Sequence, residues 1–195
     1  PSPAVADDAC VSAIAEVILS GRKAALLLGG RALREADLLA AARIAEHSGI
    51  KLLAEVFPTR LQRGAGLPAI ERIAYMAEMA GVQLAEIEEL ILVDAKAPVS
   101  FFAYPGKKSY LVPDGCNVRT LATPEQNTTA SLDKLATALG AVHIQPKLQV
   151  AQRPGRPRGR PASRCRCRPT DCCLIRRQQT GCRGRSRRPA YWSCR

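Results

Sequence analysis

A pair of glycines follows an apolar run near the start of the chain, in LLLGGRALR from Leu26 to Arg34. A strand that ends in glycines and leads into a helix places backbone N–H groups where phosphates bind. Gly29, Gly30 and Arg31 are therefore the candidate residues of a turn that binds a nucleotide such as FAD or ADP. The spacing matches neither GxGxxG nor a Walker loop, so a tight turn that needs small residues is the favoured alternative.

A glycine-containing loop offers a second place for close approach to a ligand. It reads RGAGLP, from Arg63 to Pro68, and Arg60 and Arg63 could meet an anion there. Loops of this kind also pack on neighbouring domains at the carboxyl edge of a sheet. We favour that second interpretation.

Aromatic side chains are concentrated in one stretch, VDAKAPVSFFAYPGKK, from Val93 to Lys108. It holds Phe101, Phe102 and Tyr104, which are half of the Phe and Tyr residues before residue 151. Exposed aromatic residues beside Pro and Gly indicate a contact surface. Local packing under a loop explains them equally well.

No arrangement of residues predicts a catalytic centre or a metal site before residue 151. His47 lies near a predicted helix end and His143 in a linker, so neither pairs with a Cys or Ser nucleophile. Cys10 and Cys116 are isolated and are predicted to be core or loop thiols. The acidic residues are scattered, with no pair that spacing singles out for acid and base catalysis.

Residues 1–150 have the composition of an ordinary cytoplasmic domain. They contain 15 Lys and Arg against 16 Asp and Glu, a net charge of −1. Two isolated cysteines give no disulfide framework, which is usual in a reducing compartment. No apolar run approaches the ~20 residues that span a bilayer. We therefore expect a cytoplasmic protein with no membrane partner.

The last 45 residues have a different composition. They carry 14 Arg, no Lys and one acid, Asp171, and so supply the whole basic excess of a chain whose net charge is +12. Fourteen Arg, with Tyr191 and Trp192 as stacking residues, would suit an arm that binds nucleic acid with strong salt dependence. This composition cannot form a core, so disorder is predicted.

A metal site and a frameshift are the alternatives to a nucleic-acid arm for this tail. Six of the eight cysteines lie there, at 165, 167, 172, 173, 182 and 194. They form CxC and CC without a CxxC pair or a His, which fits zinc poorly. A frameshift is the favoured interpretation, because GC-rich genes read out of register overproduce Arg, Pro, Gly and Cys and underproduce Lys.

Apolar runs alternate with helical patterns from about residue 5 to residue 141. The predicted strands are KAALLLGG, KLLAEVF, ELILVDA and NVRTLA, and helical stripes cover 11–18, 33–49, 70–84 and 132–139. Helical crossovers between strands require a parallel sheet. The predicted fold class is thus α/β, a three-layer Rossmann-like parallel sheet with helices on both faces. Residues 1–141 form this domain, 142–152 a linker, and 153–195 a disordered Arg/Cys/Pro-rich tail.

Three segments, in this order and spacing, resemble the central domain of thiamine diphosphate-dependent enzymes. They are SGRKAALLLGGRAL, AARIAEHSGIKLLAEVFPTRLQRGAGLP and LILVDAKAPVSFFAYPGKKS, within residues 4–150. The resemblance is to the branch that includes acetolactate synthase-like and benzoylformate decarboxylase-like proteins. It implies a largely structural domain, which in some members carries FAD or ADP, in an enzyme that forms homo-oligomers.

The same resemblance implies an activity that this chain does not carry by itself. Such enzymes decarboxylate or carboligate 2-oxo acids with thiamine diphosphate and Mg²⁺, which other domains bind through a glutamate and a Gly-Asp-Gly motif. The chain contains no Gly-Asp-Gly. We therefore expect a truncated, inactive piece of such an enzyme. The alternative is a Rossmann-like binding module with an Arg-rich nucleic-acid-binding arm.

Overall fold

The structure, a computed structural model, describes residues 3–102 and 105–150. These residues contain one parallel sheet. Its five strands run in the order β3-β2-β1-β4-β5. The strands are β1 Ala24–Leu28, β2 Lys51–Ala54, β3 Glu71–Arg72, β4 Glu89–Val93 and β5 Asn117–Ala122. The helices are α1 Asp8–Leu19, α2 Glu35–Ser48, α3 Ala77–Leu84 and α4 Thr128–Ala138, with a 3-10 turn at Gly30–Leu33. The predicted α/β class is confirmed, while the basic tail lies outside the described residues.

Helices cover the sheet on both faces, as predicted. Successive side chains of a strand point to opposite faces, and β1 is buried along its whole length. Leu26 and Leu28 belong to the apolar core formed with α1, α2 and α4. Ala25 and Leu27 belong to the core on the other face, which α3 contributes to. A central strand enclosed in this way reads as an unbroken apolar run.

Local signals set the ends of two helices. Gly49 follows α2 with φ 73°, the left-handed conformation that glycine adopts without a steric penalty. Asn127 precedes α4, and its side-chain oxygen accepts a hydrogen bond of 3.1 Å from the Ala130 N–H. Asp7 occupies the corresponding position before α1 but makes no capping hydrogen bond there.

The segment from Ile70 to Leu84 departs from the sequence prediction. Its apolar stripe predicts one helix, yet residues 71–72 form the edge strand β3, and α3 begins only at Ala77. Ile73 is buried, but it lies in the extended segment between the two elements. The sheet consequently has one strand more than the four expected.

The register of the sheet brings distant segments together at its carboxyl edge. Leu28 pairs with Ala54 of β2 and with Val93 of β4. The residues that follow these three strands, beginning with Gly29, Glu55 and Asp94, are therefore neighbours. In this strand order the connections after β1 and β4 diverge, which is where such folds bind ligands.

Candidate functional site

The turn after β1 lies at the point between β1 and β4 where the strand order reverses. It carries Gly29, Gly30 and Arg31, the three residues proposed for nucleotide binding. The helical element that follows is the 3-10 turn Gly30–Leu33, and α2 begins two residues after it, at Glu35. The structure therefore brings the three residues to the expected place in the sheet.

The backbone donors of this turn bind carboxylates of the same chain. The Gly30 N–H donates to Glu55 Oε1 at 3.1 Å, and the Arg31 N–H donates to Asp94 Oδ2 at 2.7 Å. The Gly29 N–H donates to the Val93 carbonyl at 3.0 Å, which extends the pairing of β1 and β4. Two negative charges thus lie where a phosphate would need these donors.

The two glycines are explained by the close approach of the segment after β4. A Cβ on Gly29 would lie 2.4 Å from the Asp94 carbonyl oxygen, and a Cβ on Gly30 would lie 2.5 Å from Asp94 Oδ2. Gly30 also has φ 41°. No side chain fits at either position, so the glycine pair is accounted for by contacts inside the protein. Nucleotide binding at this turn stays a prediction.

Arg31 closes the turn on its other side. Its guanidinium lies 3.9 Å from Asp94 Oδ2 and donates to the carbonyl oxygens of Pro124 and Gln126. Both of these carbonyls belong to the loop between β5 and α4. Arg31 therefore joins three loops at the carboxyl edge, although about half of its side chain is exposed.

The second glycine loop is held by the end of the described chain. The Gly66 N–H donates to the Gln149 carbonyl at 3.1 Å, and the Gln149 N–H donates to the Leu67 carbonyl at 2.9 Å. Gly64 and Gly66 have φ 126° and 83°. Arg60 and Arg63 are both exposed. The loop thus pairs with residues 148–149 of the same chain, and anion binding by the two arginines stays a prediction.

Four aromatic rings form a cluster at the carboxyl edge. Phe101 packs against Phe57, Tyr75 and Phe102, with ring centroids 4.8 to 5.8 Å apart. All four side chains are exposed by 44 to 62%. The rings therefore pack locally and are also exposed, and their use as a contact surface stays a prediction. Tyr104 lies outside the described residues.

Two members of this aromatic cluster, Phe57 and Tyr75, were not expected from the sequence. Phe57 is the third residue after β2, and Tyr75 is the third residue after β3. Because parallel strands end at one edge of a sheet, an aromatic residue shortly after each strand is a signal that could have found them. Neither residue stands out in the sequence, since each is a single aromatic residue in the segment that follows its strand.

Among the described residues, Asp37 and Glu89 are the acidic residues that are buried as a whole, and both have structural partners. Asp37 of α2 accepts hydrogen bonds from the hydroxyls of Thr128 and Thr129, at the start of α4. Glu89, at the start of β4, binds the side chains of Arg22, Asn117 and Arg119. Burial opposes ionisation of Glu89, but these three hydrogen bonds outweigh it and lower the pKa of the carboxyl below its usual value.

The candidate nucleophiles and metal ligands stay apart in the fold. Cys10 and Cys116 are free thiols, and burial together with the nearby Glu89 carboxylate raises the pKa of Cys116. Within residues 3–102 and 105–150, no group of three His, Cys, Asp or Glu side chains could hold a metal ion. The same part of the chain contains no helix long and apolar enough to cross a bilayer.

Comparison with known proteins gives one curated relative and a structural neighbour. No family model matches the chain. IlvX of Mycobacterium tuberculosis, named as an acetolactate synthase large subunit, is 46% identical over 159 residues, covering 82% of this chain. The match covers 30% of that protein, so this chain spans less than a third of the relative's length.

The structural neighbour comes from Mycobacterium smegmatis and is described as a thiamin diphosphate-dependent enzyme. It has a TM-score of 0.55 and 18% identity, over 77% of this chain and 32% of that one. An identity of 18% shows a similar fold alone, whereas the 46% identity to IlvX supports common ancestry. The resemblance drawn from the motifs is thereby confirmed: over most of its length this chain corresponds to the central α/β domain of thiamine diphosphate-dependent, acetolactate synthase-like enzymes.

Proposed function

We propose that this chain is the structural central domain of an enzyme that decarboxylates or carboligates 2-oxo acids with thiamine diphosphate and Mg²⁺. The observation that carries the proposal is the 46% identity to IlvX over most of the chain. In this role the domain holds the cofactor-binding parts of the enzyme in place and is inactive alone. The organic chemistry of such a reaction belongs to the cofactor, which the protein positions and polarises.

The residues of this chain do not fit thiamine diphosphate and Mg²⁺. Mg²⁺ in such sites takes carboxylate and carbonyl oxygens together with substrate phosphates. The chain has no Gly-Asp-Gly motif, and its described carboxylates form no group of three that could hold a metal. Its buried carboxylates, Asp37 and Glu89, are occupied by Thr, Asn and Arg side chains. We therefore assign no catalytic step to this chain.

Purified full chain, incubated with pyruvate, thiamine diphosphate and Mg²⁺, is expected to release no CO₂ above a protein-free control. Calorimetry with thiamine diphosphate and Mg²⁺ is expected to give only the salt-sensitive heat of a diphosphate binding to the 14 Arg of residues 151–195, because no donor set for the pair is present in the described part of the chain. The proposal of an inactive domain would be overturned by CO₂ release that rises with protein concentration and requires the cofactor. Pyruvate serves as the simplest 2-oxo acid.

Partners and compartment follow from the same proposal. We propose that the parent enzyme is a cytoplasmic homo-oligomer, which the two free thiols of the described residues suit. The exposed cluster of Phe57, Tyr75, Phe101 and Phe102 is the surface that best supports contact with other protein. An aromatic side chain has about 150–250 Å² of surface, and about half of it is exposed in each of these four residues, so together they expose roughly 400 Å².

The Arg-rich tail is either genuine protein or the product of a frameshift in a truncated gene, and we favour the frameshift. Reading the encoding DNA in the other two frames after residue 150 decides between them. A continuation with alternating strands and helices and a Gly-Asp-Gly motif is expected. If neither frame yields one, the frameshift is excluded and the tail is genuine protein.

A binding module with a nucleic-acid arm is the second candidate function. Its support is the separation of charge: residues 151–195 carry 14 Arg and one acid, while residues 1–150 are nearly neutral. This function predicts binding to duplex or single-stranded nucleic acid that weakens steeply with salt. Deleting residues 151–195 should abolish that binding, and equal affinity of the full and shortened chains would contradict it.

A further inference from the structure

A phosphate at the reversal point of this sheet would need the free N–H groups of the turn after β1. In open α/β sheets, ligands bind outside the carboxyl ends of the strands, at the point where the strand order reverses. The donors available here are the N–H groups of Gly30 and Arg31. Whether a nucleotide binds depends on what those two donors already contact.

Both donors are engaged by carboxylates that the fold holds in place. Glu55 follows β2 directly, and its own N–H donates to the Leu28 carbonyl at 3.0 Å. Asp94 follows β4 directly, and its N–H donates to the Ala122 carbonyl at 2.9 Å. Each carboxylate is therefore anchored through its backbone to a neighbouring strand end, and neither sits on a freely moving loop.

Asp94 has the more constrained position of the two. Its side chain is 7% exposed. Its backbone φ is 48°, and within the described part of the chain Asp94 is the one non-glycine residue with a positive φ. Aspartate is among the few residues that adopt the left-handed region with modest strain. This conformation directs the carboxylate onto the Arg31 N–H, at 2.7 Å.

Space and charge at this point both oppose a ligand phosphate. A phosphate oxygen bonded to the Arg31 N–H would have to occupy the position that Asp94 Oδ2 already fills. The two groups are both negative, and like charges placed together in an interface are strongly unfavourable. The Arg31 guanidinium donates to the Pro124 and Gln126 carbonyls and lies 3.9 Å from Asp94 Oδ2, so a single positive charge accompanies the two carboxylates at this turn.

We propose that Asp94 excludes phosphate-bearing nucleotides from the turn Gly29–Gly30–Arg31, by holding its carboxylate on the donor that a phosphate would use. The glycine pair then serves the close approach of Asp94, not that of a ligand. This inference goes beyond the proposed function, because it concerns which cofactors the domain accepts and not whether the parent enzyme uses thiamine diphosphate.

The test is a titration of ¹⁵N-labelled full chain with ADP, followed through the backbone amide signals of Gly30 and Arg31. Signals of individual residues are needed because the 14 Arg of residues 151–195 would bind ADP by charge alone. In the wild type we expect no saturable shift of either amide up to millimolar ADP. In Asp94→Ala the Arg31 amide should shift saturably, with an apparent affinity at least about tenfold above any wild-type response, whereas the Gly30 N–H keeps its Glu55 acceptor.

Two further variants complete the design. Asp114→Ala is the control for charge, because it removes a carboxylate that is 88% exposed and pairs with Lys108. In this variant ADP should not shift the amide signals of Gly30 and Arg31. Asp94→Gly also removes the carboxylate and adopts φ 48° without strain, so it replaces the alanine variant if that variant fails to fold. Saturable wild-type shifts at Gly30 and Arg31 would overturn the proposal, as would silence of the Arg31 amide in a folded variant that lacks the Asp94 carboxylate.

Discussion

Replacing Glu89 by alanine is expected to lower the free energy of unfolding by about 3 kcal/mol. The carboxylate is fully buried and accepts hydrogen bonds from Asn117 at 2.8 Å and Arg119 at 3.0 Å, and from Arg22. Removing it leaves two guanidinium groups and an amide without their acceptor. The value lies at the low end for a broken buried pair, because the side chains of Arg22 and Arg119 are 52% and 38% exposed and regain water.

Glu86→Ala is the matched control for this experiment. Glu86 lies three residues earlier and pairs with Lys23, but its side chain is 78% exposed. Exposed pairs contribute about 0–1 kcal/mol, so this variant should unfold almost as the wild type does. Urea unfolding of both variants measures the difference. Equal losses in the two variants would mean that the Glu89 network contributes nothing beyond an ordinary surface pair.

The same carboxylate predicts a dependence of stability on pH. The pKa of Glu89 is lowered in the folded protein, so its stabilising contribution is complete above the pKa of the unfolded chain, about 4.3. The contribution is lost as the pH falls through the lower folded value. Between about pH 5 and pH 3 the wild type should therefore lose more stability than Glu89→Ala does.

The α/β class was predictable because each buried strand is a short apolar run with a glycine or turn nearby. β1 and β4 are buried on both faces, and such strands show in the sequence as AALLL and ELILV. β3 was not predictable, because it consists of Glu71 and Arg72, two exposed residues at the sheet edge. Its apolar neighbours Ile70 and Ile73 fall at a helical spacing, although both precede α3.

The candidate site was only half predictable, for a reason that Asp94 illustrates. The glycine pair is visible in the sequence, and strand order places it at the reversal point. What occupies the N–H donor of Arg31 depends on the conformation of Asp94. Asp94 has a left-handed backbone conformation, and its carboxylate accepts a hydrogen bond from the turn that follows β1. That conformation is fixed by contacts between segments 63 residues apart, which no local pattern encodes.

Gly29→Ala is expected to destabilise the fold by about 2 to 3 kcal/mol. The backbone at Gly29 has φ −136°, which alanine adopts freely, so the cost comes from space alone. The added methyl group would lie 2.4 Å from the Asp94 carbonyl oxygen and 3.0 Å from Ala95 Cα. These are backbone atoms, so relief requires the segment after β4 to move away from the end of β1.

Gly81→Ala is the same chemical change with the opposite expected sign. Gly81 lies inside α3, and a Cβ there meets nothing within 4 Å. Alanine in a helix interior is favoured over glycine by about 0.5–1 kcal/mol, so this variant should unfold at a higher temperature than the wild type. Thermal unfolding of the two variants side by side separates crowding from backbone entropy. If Gly29→Ala were as stable as the wild type, the close approach of Asp94 to the glycine turn would be refuted, and with it the reason we give for the glycine pair.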